Sequence, residues 1–334
     1  MASLLGFILV ARHNAAVGEW YATTVYPVVS AALSWSVSRI PFSMEEVFAV
    51  AAVLLAIWVV WRGIRNRKRW WKVMLPVAEI AAWVVVWFYL GWGMNYFRES
   101  IYERAYIGKQ QFNQEEFEDF LQEYVENLNG SFSEDALPDN FKEDIKGRFA
   151  HIPPRMGLCT PKGWQQDKRL LFGGLYSSVG VLGFMGPFFA EMQINGDLLP
   201  QQIPFCYAHE LSHLLGVSSE DEANFWAYTI CTASSIPAVR YSGYLSLLPY
   251  VLSNARIAIS PDSYKELLLS INPQIREQFN VQQQYWREKY SPLLGTVQGY
   301  LYDLMLKGNK ISSGTKNYIQ VIDLIIAMDN KINL

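Results

Sequence analysis

Two long apolar runs dominate the first hundred residues. Val47–Trp61 reads VFAVAAVLLAIWVVW, and Val73–Met94 is broken only by Pro76 and Glu79. With Ser43–Glu46 in front and Arg62 behind the first, each approaches the roughly 20 residues a helix needs to cross a hydrocarbon core. Transmembrane helices are therefore expected over about 44–62 and 73–94. Trp58, Trp61, Trp83, Trp87 and Trp92 suit helix ends and interfaces. The loop between the runs, 62–72, carries Arg62, Arg65, Arg67, Lys68, Arg69 and Lys72. The positive-inside bias places it in the cytoplasm, so everything after Met94 is expected outside. Glu79 lies seven residues beyond Lys72, ~10 Å at helical rise, close enough to the interface to snorkel or stay protonated. Ala2–Val10 is apolar but stops at Arg12 and His13, so a first span at 1–11 is too short to cross unaided. It reads as a remnant span or a signal-like segment. Residues 15–40, with Glu19, Pro27 and Arg39, are amphipathic and expected along the outer surface.

After Arg98 the texture changes. Residues 110–150 are acidic with helical spacing: Phe112, Phe117, Phe120, Leu121 and Tyr124 mark a buried face, and Glu115, Glu116, Glu118, Asp119 and Glu123 a wet one. Leu170–Ile194 consists of short apolar runs between glycines and predicts two or three short strands with tight turns. A helix follows over roughly Pro204–Leu215, ended by Gly216. Ser218 or Ser219 can cap the next helix, whose first turn holds Glu220, Asp221 and Glu222. The remainder is mostly helical, with breaks at Pro237, Pro249, Pro261, Pro273, Pro292 and Gly308. The expected fold class is α+β with helix dominant: an N-terminal anchor over 1–97, then an extracytoplasmic domain with a small sheet over 98–334.

Composition changes this picture little. Apolar residues make up 51% and aromatics 15% of 334 residues, suited to a chain that meets lipid, the expected partner of its anchor. A net charge of −3 gives no reason to expect nucleic acid. Cys159, Cys206 and Cys231 cannot all pair, so no disulfide framework can be read.

The chemistry concentrates where two of the four histidines stand four residues apart. Residues 209–213 read His-Glu-Leu-Ser-His. On a helix, His209 and His213 share a face and can reach one metal. Glu210 points to one side, where it can take a proton from water activated by that metal. Zinc is the expected cofactor of such a site. The bland reading is a pair of histidines on a structural helix.

A catalytic zinc takes three protein ligands and keeps an open position. Glu220-x-x-Ala223-Asn224 resembles the Glu-x-x-Ala-Asp or Glu-x-x-Ala-Asn segment of several gluzincin-type peptidases. The resemblance implies Glu220 as third ligand and Asn224 as the residue that orients a ligand histidine; Glu222 is the alternative ligand. Metzincins share the Gly216 position but need His where Ser219 stands. Cys206, three residues before His209, could ligate or be a packed thiol; His151 stands alone in a Pro-flanked loop. Arg240 and Tyr241 are candidates to stabilise an oxyanion. Glu191–Asn195, just before the metal helix, is where a zincin sheet edge would bind extended peptide.

Pro41-Phe42-Ser43, Gly93-Met94-Asn95-Tyr96-Phe97-Arg98, AHELSH, EDEANFWAY and RYSGY together resemble an uncharacterised bacterial membrane family, domain of unknown function 3810. The resemblance covers nearly the whole chain. It implies a multi-pass protein of the bacterial cell membrane, usually with three spans, carrying a zincin-like domain. The expected function is a membrane-anchored zinc metallopeptidase that hydrolyses peptide bonds of an extracytoplasmic polypeptide, with Glu210 as general base. The alternative is a non-catalytic zinc-stabilised sensor or scaffold, for which a fourth protein ligand would argue. An intramembrane protease ranks last: Asn272-Pro273 is followed by Gln274-Ile275 instead of Asp-Gly, and acids surround the metal helix.

Overall fold

A computed structural model describes residues 1–108, 112–309 and 320–328. Helix dominates, with one small sheet. The chain forms two compact units, interleaved in sequence. The first holds Met1–Glu99, Lys162–Leu171 and Met185–Gln193; the second holds Ser100–Pro161, Phe172–Phe184 and Ile194–Leu334.

The first unit begins with α1 (Ala2–His13), α2 (Ala15–Trp20) and α3 (Tyr26–Ser36), with a π turn at Tyr21–Val25. Asn14 starts α2 by accepting from the Ala16 and Val17 amides. Next come α4 (Met44–Arg65) and α5 (Trp70–Gly91), both long and apolar enough to cross a membrane. Their apolar side chains point outward, as Leu54, Ile57, Trp61 and Leu75 show. Both helices run further into the basic stretch than the 62–72 loop suggests, and only residues 66–69 separate them. Cationic side chains with long apolar stems tolerate this well: Arg62 covers Trp58, Arg65 covers Trp61 and Lys72 covers Trp71.

The exit from α5 is tied back to the N-terminal helices. Tyr21 donates to the Leu90 carbonyl at 2.6 Å, and Arg98 pairs with Glu19 at 2.8 Å. Gly18 permits the close approach, because a Cβ there would fall 2.3 Å from the Phe97 carbonyl oxygen. At the start of α4, Ser43 accepts from the Glu46 amide. Beside it the buried Glu191 carboxylate meets Lys168 at 2.6 Å and accepts from the Glu45 amide at 2.7 Å.

The strands differ in part from expectation. They are β1 (Asp167–Arg169), β2 (Gly183–Gly186) and β3 (Glu191–Ile194), paired in the order β1-β3-β2. Part of the glycine-spaced stretch is helical instead, over Gly173–Ser178. Tertiary hydrogen bonds fix that turn: Ser177 donates to Asp197 at 2.7 Å and accepts from the Asn195 amide group at 2.9 Å. β3 has a partner on each side, so its backbone groups are already paired and it offers no edge for peptide addition.

The second unit is helical. Its helices are α6 (Ile101–Arg104), α7 (Gln114–Ser131), α8 (Phe141–Ala150), α9 (Gly173–Ser178), α10 (Ile203–Leu214) and α11 (Glu220–Thr232). They continue with α12 (Pro237–Ala258), α13 (Pro261–Ser270), α14 (Pro273–Lys289), α15 (Pro292–Gly308) and α16 (Val321–Met328). α7 starts with a reciprocal cap between Asn113 and Glu116. It buries Phe117, Leu121 and Tyr124 as its spacing predicts, whereas Phe112 and Phe120 stay partly exposed. α10, α11 and α12 pack on one another around Tyr207, Leu211, Trp226, Ile230 and Leu248. Gly243 lets α12 close on α11: a Cβ there would lie 2.9 Å from the Cys231 Cβ.

Candidate metal centre

α10 begins at a proline-led turn and carries His209 and His213 one turn apart, their ring centroids 4.8 Å from each other. Gly216, at φ 101°, ends the helix in a conformation that an L side chain rarely adopts. The reversal brings the Val217 carbonyl back to His213 Nδ1, at 2.8 Å. α11 then starts at once and places Glu220 in its first turn, with Asn224 one turn on. Ser219 occupies the cap position, but its hydroxyl donates to Asp221 instead of accepting from the helix.

The result is a triangle of three candidate ligand atoms. The two Nε2 atoms are 3.1 Å apart, and Glu220 Oε2 lies 3.2 Å from that of His209 and 3.5 Å from that of His213. Ligand atoms held ~2.0–2.1 Å from one tetrahedral zinc are ~3.3 Å apart, so the three side chains fit such an ion. Both imidazoles are set for it. His209 Nδ1 bonds Asn224 Oδ1 at 2.9 Å and His213 Nδ1 bonds the Val217 carbonyl. Each acceptor takes an Nδ1 proton and leaves an Nε2 lone pair turned to the triangle. Beside it, Glu210 Oε2 is buried and makes no hydrogen bond among the described residues.

The electrostatics follow from burial and proximity. Burial pushes the Glu210 carboxyl up; the two histidines pull it down, Glu220 adds to the rise, and it reaches about 7. Burial alone would lower His213, but the Glu220 charge and hydrogen bond, then Glu210, outweigh it and raise the imidazole to about 9. Glu220 meets the opposite balance. Burial favours its acid form, yet His213 and His209 hold it well below the usual carboxylate range.

The other candidates take different places. Glu222 faces away: it pairs with the buried Arg104 at 2.5 Å and accepts from the Trp226 indole at 3.1 Å. Between the two carboxylates proposed as third ligand, only Glu220 therefore joins the histidines. Cys206 is buried and lies outside the ligand group, and none of the three cysteines forms a disulfide. His151 bonds the Gly147 carbonyl at the end of α8. The structure does not bring Tyr241 or Arg240 to the triangle. Tyr241 donates to Gln278 at 2.7 Å and packs edge-on against Phe132, and Arg240 influences the Tyr244 phenol.

Two tyrosines that sequence spacing does not reveal stand beside Glu220 instead. Tyr302 of α15 donates to Glu220 Oε1, and Tyr250 of α12 faces Glu220 and Asn224. Burial and then the Glu220 charge push the Tyr250 phenol up to about 12, so it keeps its proton. Neither has a local signature, because each reaches the centre only through the packing of a distant helix.

A family model described as a protein of unknown function (DUF3810) matches residues 21–326. The chain belongs to that family. The matched region includes both long apolar helices and every member of the triangle. No curated protein and no solved structure matches the chain.

Proposed function

We propose that the chain is a membrane-anchored zinc metallopeptidase acting on a polypeptide outside the cytoplasm. The observation that carries this reading is the spacing of the triangle, at 3.1, 3.2 and 3.5 Å, with a buried, unpaired Glu210 oxygen beside it. Two imidazoles and one carboxylate are the donor set of a catalytic zinc, and three ligands leave a position for substrate. His209, His213 and Glu220 would hold the ion, which when bound supplies Lewis acidity. Glu210 Oε2 is the proton acceptor; the same oxygen returns the proton to the leaving amine. Asn224 and the Val217 carbonyl keep the imidazoles in the required tautomer. Tyr250, protonated at neutral pH, is the donor suited to a developing oxyanion.

The scaffold alternative calls for a closed site, and the group that could hold a metal among the described residues has three members, with Cys206 outside it. The anchor part of the reading is supported by the length and apolar character of α4 and α5, and its orientation by the positive-inside bias applied to the basic residues at and between their ends.

Metal content of the full-length chain in detergent tests the proposal. Wild type is expected to hold about one zinc per chain and to cleave members of an unbiased peptide library. His213→Ala and Glu220→Ala are expected to lose the metal while staying folded by circular dichroism. A folded wild type that takes up no zinc would remove the peptidase reading.

A further inference from the structure

We propose that Tyr302 is a positioning residue that makes Glu220 present one carboxylate oxygen, and not two, to the metal. The inference rests on the zinc reading above and goes beyond it. A carboxylate can offer a cation either one oxygen or both, and the choice decides whether a site with two histidines keeps a place for substrate. Here the two oxygens are treated differently. Oε2 faces both imidazole Nε2 atoms, at 3.2 and 3.5 Å, while Oε1 accepts the Tyr302 hydroxyl. A donor on Oε1 engages its lone pair and fixes the rotation of the carboxylate plane, so that Oε2 remains the ligand atom.

The bond also joins the centre to a helix far away in sequence. Tyr302 stands 82 residues after Glu220. It projects from one side of α15, whose outer side exposes Leu293, Val297, Tyr300, Leu301 and Leu304. Leu306 is buried, and Asp303 pairs with Lys307 along the helix. Because the hydrogen bond is reciprocal, fixing Glu220 on a metal also fixes this stretch of α15.

The test uses the full-length chain in detergent, loaded with zinc for affinity and with cobalt(II) for its visible spectrum. Tyr302→Phe removes the hydroxyl alone, and Leu306→Ala serves as a control that loosens α15 without touching the carboxylate. Tyr302→Phe is expected to lose roughly 10–100-fold in zinc affinity by chelator competition. Its cobalt absorption is expected to weaken as the second carboxylate oxygen enters and the coordination number rises. Metal loading is expected to slow hydrogen exchange in α15 of wild type and not of Tyr302→Phe. Unchanged affinity and spectrum in Tyr302→Phe would overturn the inference, as would the same changes in Leu306→Ala. A folded wild type that binds neither metal overturns this inference and the peptidase reading together. Metal binding with the Tyr302→Phe shift, but without peptide cleavage, upholds the inference and removes the peptidase reading alone.

Discussion

Glu210→Gln is expected to lower peptide hydrolysis by about 10²–10⁴-fold while leaving the metal content of the chain near that of wild type. The amide keeps the shape of the side chain but cannot accept the proton, and Glu210 is not a member of the ligand triangle. A matching effect of opposite sign should appear in the stability of the metal-free protein. The Glu210 carboxyl is raised from 4.5 to about 7 in the folded state, chiefly by burial. A group raised in this way stabilises fully below its unfolded value, and that contribution is lost as pH rises through the folded one. Metal-free wild type should therefore lose stability between about pH 4.5 and 7, and Glu210→Gln should not. His213, raised from 6.5 to about 9 chiefly by Glu220, adds a second loss at higher pH that is smaller in Glu210→Gln, because Glu210 is one of the groups that raise it. Thermal melts across this range in chelator, alongside peptide turnover after zinc loading, read both effects. Full turnover in a zinc-loaded Glu210→Gln would show that this carboxylate is not the base.

Glu222→Ala is expected to destabilise the chain by about 3–5 kcal/mol, whereas Glu220→Ala, two residues earlier, is expected to leave the fold intact. Glu222 and Arg104 form an ion pair whose side chains are only 5% and 2% exposed. Deleting the carboxylate leaves a buried guanidinium without its counter-charge and also strips the Trp226 indole of its acceptor. Arg104 keeps its bond to the Met156 carbonyl, which does not neutralise it. Glu220→Ala differs because the groups it leaves behind are imidazoles, which keep their own partners at Nδ1, the Asn224 amide oxygen and the Val217 carbonyl. Two acids of one helix turn should thus yield separate phenotypes, loss of fold for Glu222 and loss of metal for Glu220. Replacing both members of the pair, as in Arg104→Met with Glu222→Leu, is expected to recover much of the stability, because no isolated charge remains. Melting temperatures of the single and double variants decide this. A Glu222→Ala protein that melts with wild type would mean the pair contributes nothing net.

Periodicity alone was enough for the features whose physics is local. Two apolar runs of membrane length became α4 and α5, and the acidic amphipathic stretch became α7 with Phe117, Leu121 and Tyr124 inside. The spacing of His209 and His213, the stop at Gly216 and the acidic start of α11 were all legible, because turn geometry and helix pitch depend on neighbours in sequence. Those same elements place the imidazoles on a common face before any tertiary contact is considered.

What the sequence left open was decided by pairing across long separations. Glu220 and Glu222 are equivalent acids in a first helical turn, and their roles diverge only because Arg104 meets one and the two histidines meet the other. Gly173–Ser178 became helix instead of strand through hydrogen bonds from Ser177 to residues some twenty positions on. β3 became the central strand because β1 and β2 flank it, a matter of topology that alternation of side chains cannot express. Tyr250 and Tyr302, not Arg240 and Tyr241, reach the ligand triangle, since α12 and α15 pack with those residues turned toward Glu220. Sequence by itself determined the helices and the two imidazoles, whose geometry follows from the pitch of one helix. Tertiary structure chose the carboxylate that joins the two imidazoles and its tyrosine partners, because those choices depend on which distant charge or hydroxyl each buried carboxylate meets.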